Sequence, residues 1–200
     1  MINDIEIMPL AVYVAPATQS AFVADNAAPG TAWPSGWTQL GSLSKPIKFT
    51  YKADKKDIEV QNALAPVRRR KIKESLEFNI DLAELALHQL QYATGVYTLN
   101  TAPTTSVAGL ESWTDGGKAC LPEYMWGFEG KMAPEDCATS YAFRVYVWKA
   151  TLLDQFESEY SKDSETVLAL KFGALAVPAK GAGQHLWRKV RVISPRATYP

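Results

Sequence analysis

The sequence predicts an α+β domain that is mostly β: an antiparallel β-sandwich or barrel with one amphipathic helix, long hairpins and extended arms at both ends. Three observations predict this class. First, apolar residues recur at a period of two, as where Ile47, Phe49 and Tyr51 alternate with Lys48, Thr50 and Lys52; that pattern marks a half-buried strand. Second, only the stretch Leu82–Thr94 carries apolar residues at helical spacing, through Leu82, Leu85, Ala86, Leu90 and Ala93. A lone amphipathic helix among strands needs a sheet to cover. Third, both ends are punctuated by Gly, Pro, Ala and Ser without a period, which reads as extended chain. The 200 residues suit a single domain. We divide it into an N-terminal arm (1–36), a β core (37–177, with a helix at 81–94 and an excursion at 95–138) and a C-terminal arm (178–200).

The elements follow in order. Leu10–Val14 reads as a strand inside the first arm, and Trp33 and Trp37 imply that the arm packs on something. Residues 37–62 read as β, with Ala53–Asp57 as a turn and Ile58 and Val60 resuming the alternation. After Pro66, the run Arg68, Arg69, Arg70, Lys71 and Lys73 opens a long strand. There Ile72, Leu76, Phe78 and Ile80 share one face, while Lys71, Lys73, Ser75, Glu77 and Asn79 share the other; Glu74 breaks the pattern. Asp81 and Glu84 have the spacing of a capping box for the helix, and Gly95 suits the left-handed residue after it. Residues 95–138 are rich in turn formers and read as a surface excursion. Tyr141–Leu153 is β-rich and continues to Tyr160, turns at 161–164 and returns at 166–172. In that return Leu168, Leu170 and Phe172 share one face and Val167, Ala169 and Lys171 the other.

Composition removes several functions. Basic and acidic residues balance at 21 each, whereas a dedicated nucleic-acid binder carries a basic surplus. No aromatics interleave with Arg68–Lys73, as a single-strand binder needs. Cys120 and Cys137, with only His88 and His185 in support, match no zinc spacing. The N-terminus lacks the basic region of a signal peptide, and no apolar run is long enough to span a membrane as a helix. The expectation is a soluble protein made in the cytoplasm. There is no P-loop, nucleophile elbow or His-Glu-x-x-His motif. Glu157 and Glu159 alternate on one strand face and are the only pair that a hydrolase reading would use; a solvated surface explains them as well. We expect no catalytic residue, cofactor or metal.

One asymmetry remains. Residues 154–165 carry Asp154, Glu157, Glu159, Asp163 and Glu165 against Lys162 alone, opposite in sign to 68–73. A basic hairpin end and an acidic hairpin on one neutral chain fit a heterologous contact between copies, which builds rings or filaments.

The order of parts resembles the major tail protein, or tail tube protein, of long-tailed bacteriophages. The resemblance rests on Val12-Tyr-Val-Ala-Pro16 with its Pro/Gly-rich arm, and on Gly36-Trp-Thr-Gln-Leu-Gly41. It continues through Ile58-Glu-Val-Gln-Asn-Ala-Leu-Ala-Pro-Val-Arg-Arg69 and Glu74-Ser-Leu-Glu-Phe-Asn-Ile80, and covers most of the chain except 96–138. It implies a phage tail tube fold. The subunit would form rings, usually hexameric, stacked into a hollow tube in the virion tail, with assembly in the host cytoplasm. The implied partners are other copies, the tape-measure protein and transiting double-stranded DNA, with tail terminator and distal tail proteins at the ends and no membrane insertion. A terminator, connector, baseplate-hub ring or injection-particle tube shares the same pattern. On this reading Ser75, Glu77, Asn79, Glu157, Glu159 and Lys171 face the lumen, and Ile72, Leu76, Phe78, Leu168, Leu170 and Phe172 face the core. Arg68, Arg69, Arg70, Trp33, Trp37, Asp154, Asp163 and Glu165 meet neighbouring subunits. The arms would order on a neighbour, with exposed Trp33 and Trp37 as anchors.

Overall fold

A computed structural model of the chain describes residues 5–41, 43–58, 67–82, 86–117, 119–133, 141–154 and 168–192. The strands are β1 (Ile5–Pro16), β2 (Thr38–Gln39), β3 (Lys48–Ile58), β4 (Arg68–Leu82), β5 (Val96–Thr101), β6 (Leu110–Thr114), β7 (Tyr124–Ala133), β8 (Tyr141–Leu152), β9 (Leu168–Ala174) and β10 (Trp187–Arg191), with a short helix α1 (Leu87–Leu90). The main sheet has eight strands in the order β2-β1-β7-β8-β9-β4-β3, with β10 beside β8; β5 and β6 form a separate hairpin. All of its strand pairs are antiparallel.

The sheet folds over on itself. Phe78 of β4 lies 5.4 Å from Phe128 and 5.8 Å from Trp126 of β7, although β9 and β8 stand between those strands in the sheet. Phe172 of β9 closes the same cluster, stacked on Phe78 at 5.4 Å and 4.4 Å from Trp126. Period-two burial explains the curl: Leu76, Phe78, Ile80 and Leu82 are all buried on one side of β4, and Phe143, Val145 and Val147 on one side of β8. Burying these side chains is the main force holding the two halves together.

Several expectations change. The helix is short: β4 runs through Asp81 and Leu82, and α1 begins only at Leu87, after an Ala86 that offers no side-chain cap. The strand alternation continued by Ile80 and Leu82, both wholly buried, outweighs the capping-box spacing. Asp81 pairs instead with Lys45 at 3.2 Å, and Glu84 lies outside the described residues. Gly95 does take the left-handed conformation, at φ 79°. Residues 53–57 are not a turn but the middle of β3, paired with 69–74 of β4; with no Gly, Pro or Asn among them, nothing breaks the strand. The excursion contains β7, a central strand whose Trp126, Phe128 and Met132 are buried. Its glycines, Gly127 and Gly130, had disguised it as loop. The terminal arms contribute β1 and β10 to the main sheet. The second hairpin is present where β8 and β9 pair through Ala150–Leu152 and 172–174, while its tip lies outside the described residues.

Candidate assembly interface

The β3–β4 hairpin positions Arg68, Arg69, Arg70, Ser75, Glu77 and Asn79, all on β4. β4 pairs with β9 only from Glu77 to Leu82, so the half from Arg68 to Leu76 has β3 alone as a partner among the described residues. β3 is itself the last strand of the sheet. Among the described residues the distal half of the hairpin therefore has an open edge on each side. Open edges of this length are a hazard for a monomer unless another chain pairs with or covers them.

The root of the hairpin carries a polar face. In register across three strands lie Lys48, Asn79 and Lys171, then Thr50, Glu77 and Gly173, then Lys52 and Ser75 on two strands. Asn79 is exposed, and Ser75, Glu77 and Lys171 are half-buried. Glu77 is flanked by two ammonium groups, Lys52 at 3.7 Å and Lys171 at 3.5 Å. Lys171 also meets Asp154 at 3.1 Å. Asp154, and after it Glu77, raise the Lys171 pKa above the usual lysine value. On this face two carboxylates, Glu77 and Asp154, thus offset most of the charge of three lysines, Lys48, Lys52 and Lys171. Directly behind it stand Leu76, Phe78, Leu170 and Phe172, all buried, as the alternation required.

The distal half has two unlike faces. On one, Arg69 donates to both Asp57 carboxylate oxygens, at 2.5 and 2.9 Å. Lys71 donates to the Tyr51 hydroxyl at 2.8 Å and to Glu74 at 2.6 Å, and Tyr51 donates to Glu74 at 2.9 Å. The Arg69 hydrogen bond holds the Asp57 pKa down. Lys71, with help from Tyr51, does the same for Glu74. Glu74, the residue that broke the alternation, is therefore the acceptor at the centre of this network. On the opposite side Lys56, Ile58, Arg70 and Ile72, together with Lys71, line a notch of about 380 Å³. Arg68, opposite Ile58 in register, is exposed beside them.

Ile72 is a correction. It was expected in the core and is 65% exposed. Asp54 pairs with Lys73 and Lys55 with Lys71, so a register shift leaves Ile72 as the extra residue of a bulge. With Ile58, 43% exposed, it forms an apolar spot beside the cations Lys56, Arg70 and Lys71.

Trp33 and Trp37 are also corrected in their surroundings. Both are half-buried on their own chain. Trp33 stacks on Tyr13 at 4.1 Å and meets Trp37 edge-on at 4.7 Å. Trp37 donates from Nε1 to the Ala21 carbonyl at 2.9 Å. Gly127 makes room for both: a Cβ there would come within 2.9 Å of the Trp37 ring and nearer still to Trp33. These contacts to the arm lie within the subunit itself.

Glu157, Glu159, Asp163 and Glu165 lie outside the described residues, while Asp154 is exposed at the end of β8. Sequence reasoning missed Glu129 and Arg144, which form an ion pair at 3.0 Å with side chains 3% and 1% exposed. The signal available was one acid and one base at strand positions between apolar residues. Among the described residues no three His, Cys, Asp or Glu side chains gather as a metal site, and no helix is long and apolar enough to cross a membrane.

A solved structure described as "Tail of empty GTA particle computed with helical refinement, C6 symmetry" is similar at 8% identity and a TM-score of 0.35, covering 72% of this chain and 84% of that one. No curated protein matches. A family model described as "Phage tail tube protein" matches residues 10–191. That match spans the main sheet from β1 to β10, and the chain belongs to the phage tail tube protein family.

Proposed function

We propose that this structural subunit of the phage tail tube assembles into stacked rings, hexameric in the usual form, whose shared channel passes DNA and the tape-measure protein. The observation that carries the reading is the β3–β4 hairpin: at its root β4 buries one face and turns a largely charge-paired polar ladder to the other, and its distal half has open edges among the described residues. A closed barrel removes such edges. A water-filled barrel needs about 16 strands or more, which the eight strands of this main sheet cannot supply alone, so the channel is shared between copies. Ser75, Glu77, Asn79 and Lys171 line it on this reading, joined by Glu157 and Glu159 from the β8–β9 hairpin. Arg68 and Arg70, with Asp154, Asp163 and Glu165 as acidic counterparts, sit at contacts between subunits. Assembly takes place in the host cytoplasm, with terminator and distal tail proteins closing the two ends.

Negative-stain electron microscopy of the purified protein over a concentration series tests the proposal. Hollow tubes or stacked rings are expected. Closed single rings that never stack would move the subunit to a terminator or connector role, and monomers that stay monomeric even when seeded with tail tips would overturn self-assembly.

A further inference from the structure

We propose that the buried Glu129–Arg144 pair is a latch that fixes the segment 17–37 as a strap over the outer aromatic face of the sheet. The pair spends little on itself. Arg144 donates from Nε to Glu129, but its other nitrogens donate to the carbonyls of Ala24 (3.4 Å), Ala27 (3.1 Å) and Ala28 (2.9 Å). Glu129 accepts from the backbone N–H of Gly30 and from Trp33 Nε1. Five of the six hydrogen bonds therefore hold the strap, which contains no helix or strand of its own. Its internal backbone bonds are isolated turns, such as Ala27 to Ala24 and Thr31 to Ala28.

Beneath the strap lies a second apolar cluster, Met125, Tyr146 and Trp148, on the side of β7 and β8 away from the main core. Phe22 of the strap sits edge-on to Tyr146 at 5.3 Å and to Trp148 at 5.7 Å. A lifted strap would expose these rings as a contiguous apolar face, which marks a sticking surface. Buried ion pairs are poor sources of stability because each charge must be desolvated, and apolar replacements are often neutral or better. Losing one partner leaves an uncompensated charge and is far worse. A pair whose bonds run to a structureless strap is suited to fixing one conformation. It keeps the outer face covered, so that copies meet only through their other surfaces.

The test replaces both charges with apolar residues, Glu129→Leu with Arg144→Met, in the full chain. The fold should survive with a melting midpoint within about 5 °C of the original. Hydrogen exchange across residues 17–37 should accelerate by about tenfold or more, while β4 and β8 stay protected. Binding of a naphthalene sulfonate dye should rise, and tubes should give way to irregular aggregates. Unchanged exchange in the strap overturns the latch. So does global unfolding of the double variant if Arg144→Lys keeps full strap protection, since a single ammonium cannot reach all three carbonyls. Faster exchange with unchanged dye binding and normal tubes overturns the covering role.

Discussion

Arg68, Arg69 and Arg70 are neighbours in sequence, yet the pleat sends them to different chemistry. Arg69 is bound to Asp57 on its own hairpin, whereas Arg70 borders the notch with Lys56, Ile58 and Ile72. A contact between copies would use the cations that the subunit has not neutralised. Charge reversal of Arg68 and Arg70 together should abolish tubes while leaving the monomer folded, because exposed charges contribute little to stability. Reversal of Arg69 should loosen the hairpin tip and impair tubes only weakly. Electron microscopy beside circular dichroism on the two variants separates these outcomes, and normal tubes from the Arg68/Arg70 variant would remove the pair from the interface. The sequence exposed the basic run but not which face each cation takes, because that depends on the bulge at Ile72. A register shift is set by both strands at once, and one strand's alternation cannot reveal it. Glu129 and Arg144 were hidden for a similar reason: their partner is a strap about a hundred residues away in the chain.

At the scale of elements, strands were legible wherever one face is buried and the other wet, as in β4, where burial follows the alternation from Leu76 onward. They were illegible where both faces are covered. β7 has the main core on one side and the strap on the other, so its polar markers gave way to Gly127, Gly130 and a buried Glu129. The helix was over-read because a local capping signal worth about 1 kcal/mol competes with burial of Ile80 and Leu82, each worth about 2 kcal/mol. The distal half of the β3–β4 hairpin should respond to acid before the rest of the sheet does. Asp57 and Glu74 have lowered pKa values, through Arg69 and Lys71 respectively. Their contribution is therefore full above the ordinary carboxylate range and is lost as pH falls through the lowered values. Hydrogen exchange at 52–58 and 68–75 should accelerate as pH drops below that range, after correction for the intrinsic rate, while β8 remains protected. Equal acceleration in both elements would show that the carboxylate network does not hold the tip.

For the whole molecule, zero net charge hides an uneven distribution, and what matters to a passing polyanion is the charge of the surface it meets. Lys48, Lys52 and Lys171 all stand on the polar ladder, and Glu77 lies within 3.7 Å of two of them. Each lysine free to neutralise a phosphate adds salt-dependent affinity and therefore drag. In a ring the effect is repeated by every subunit. Replacement of Glu77 by Gln should leave tubes intact, since half-exposed ion pairs contribute little to folding. The variant tubes should then retain short double-stranded DNA at low salt, with binding that falls steeply as salt rises, and a second change of Lys171 to Gln should reverse much of the retention. Wild-type tubes should retain almost none. Co-sedimentation with two forms of the same duplex, one plain and one with bulky protein caps at both ends, locates the effect. Retention of the plain duplex alone places the ladder inside the channel; equal retention of both places it on the outer wall and removes the lumen assignment while keeping the charge argument. If the Glu77 variant retains neither, the lysines are not released by losing that carboxylate, and Glu77 is not what keeps the ladder from holding DNA.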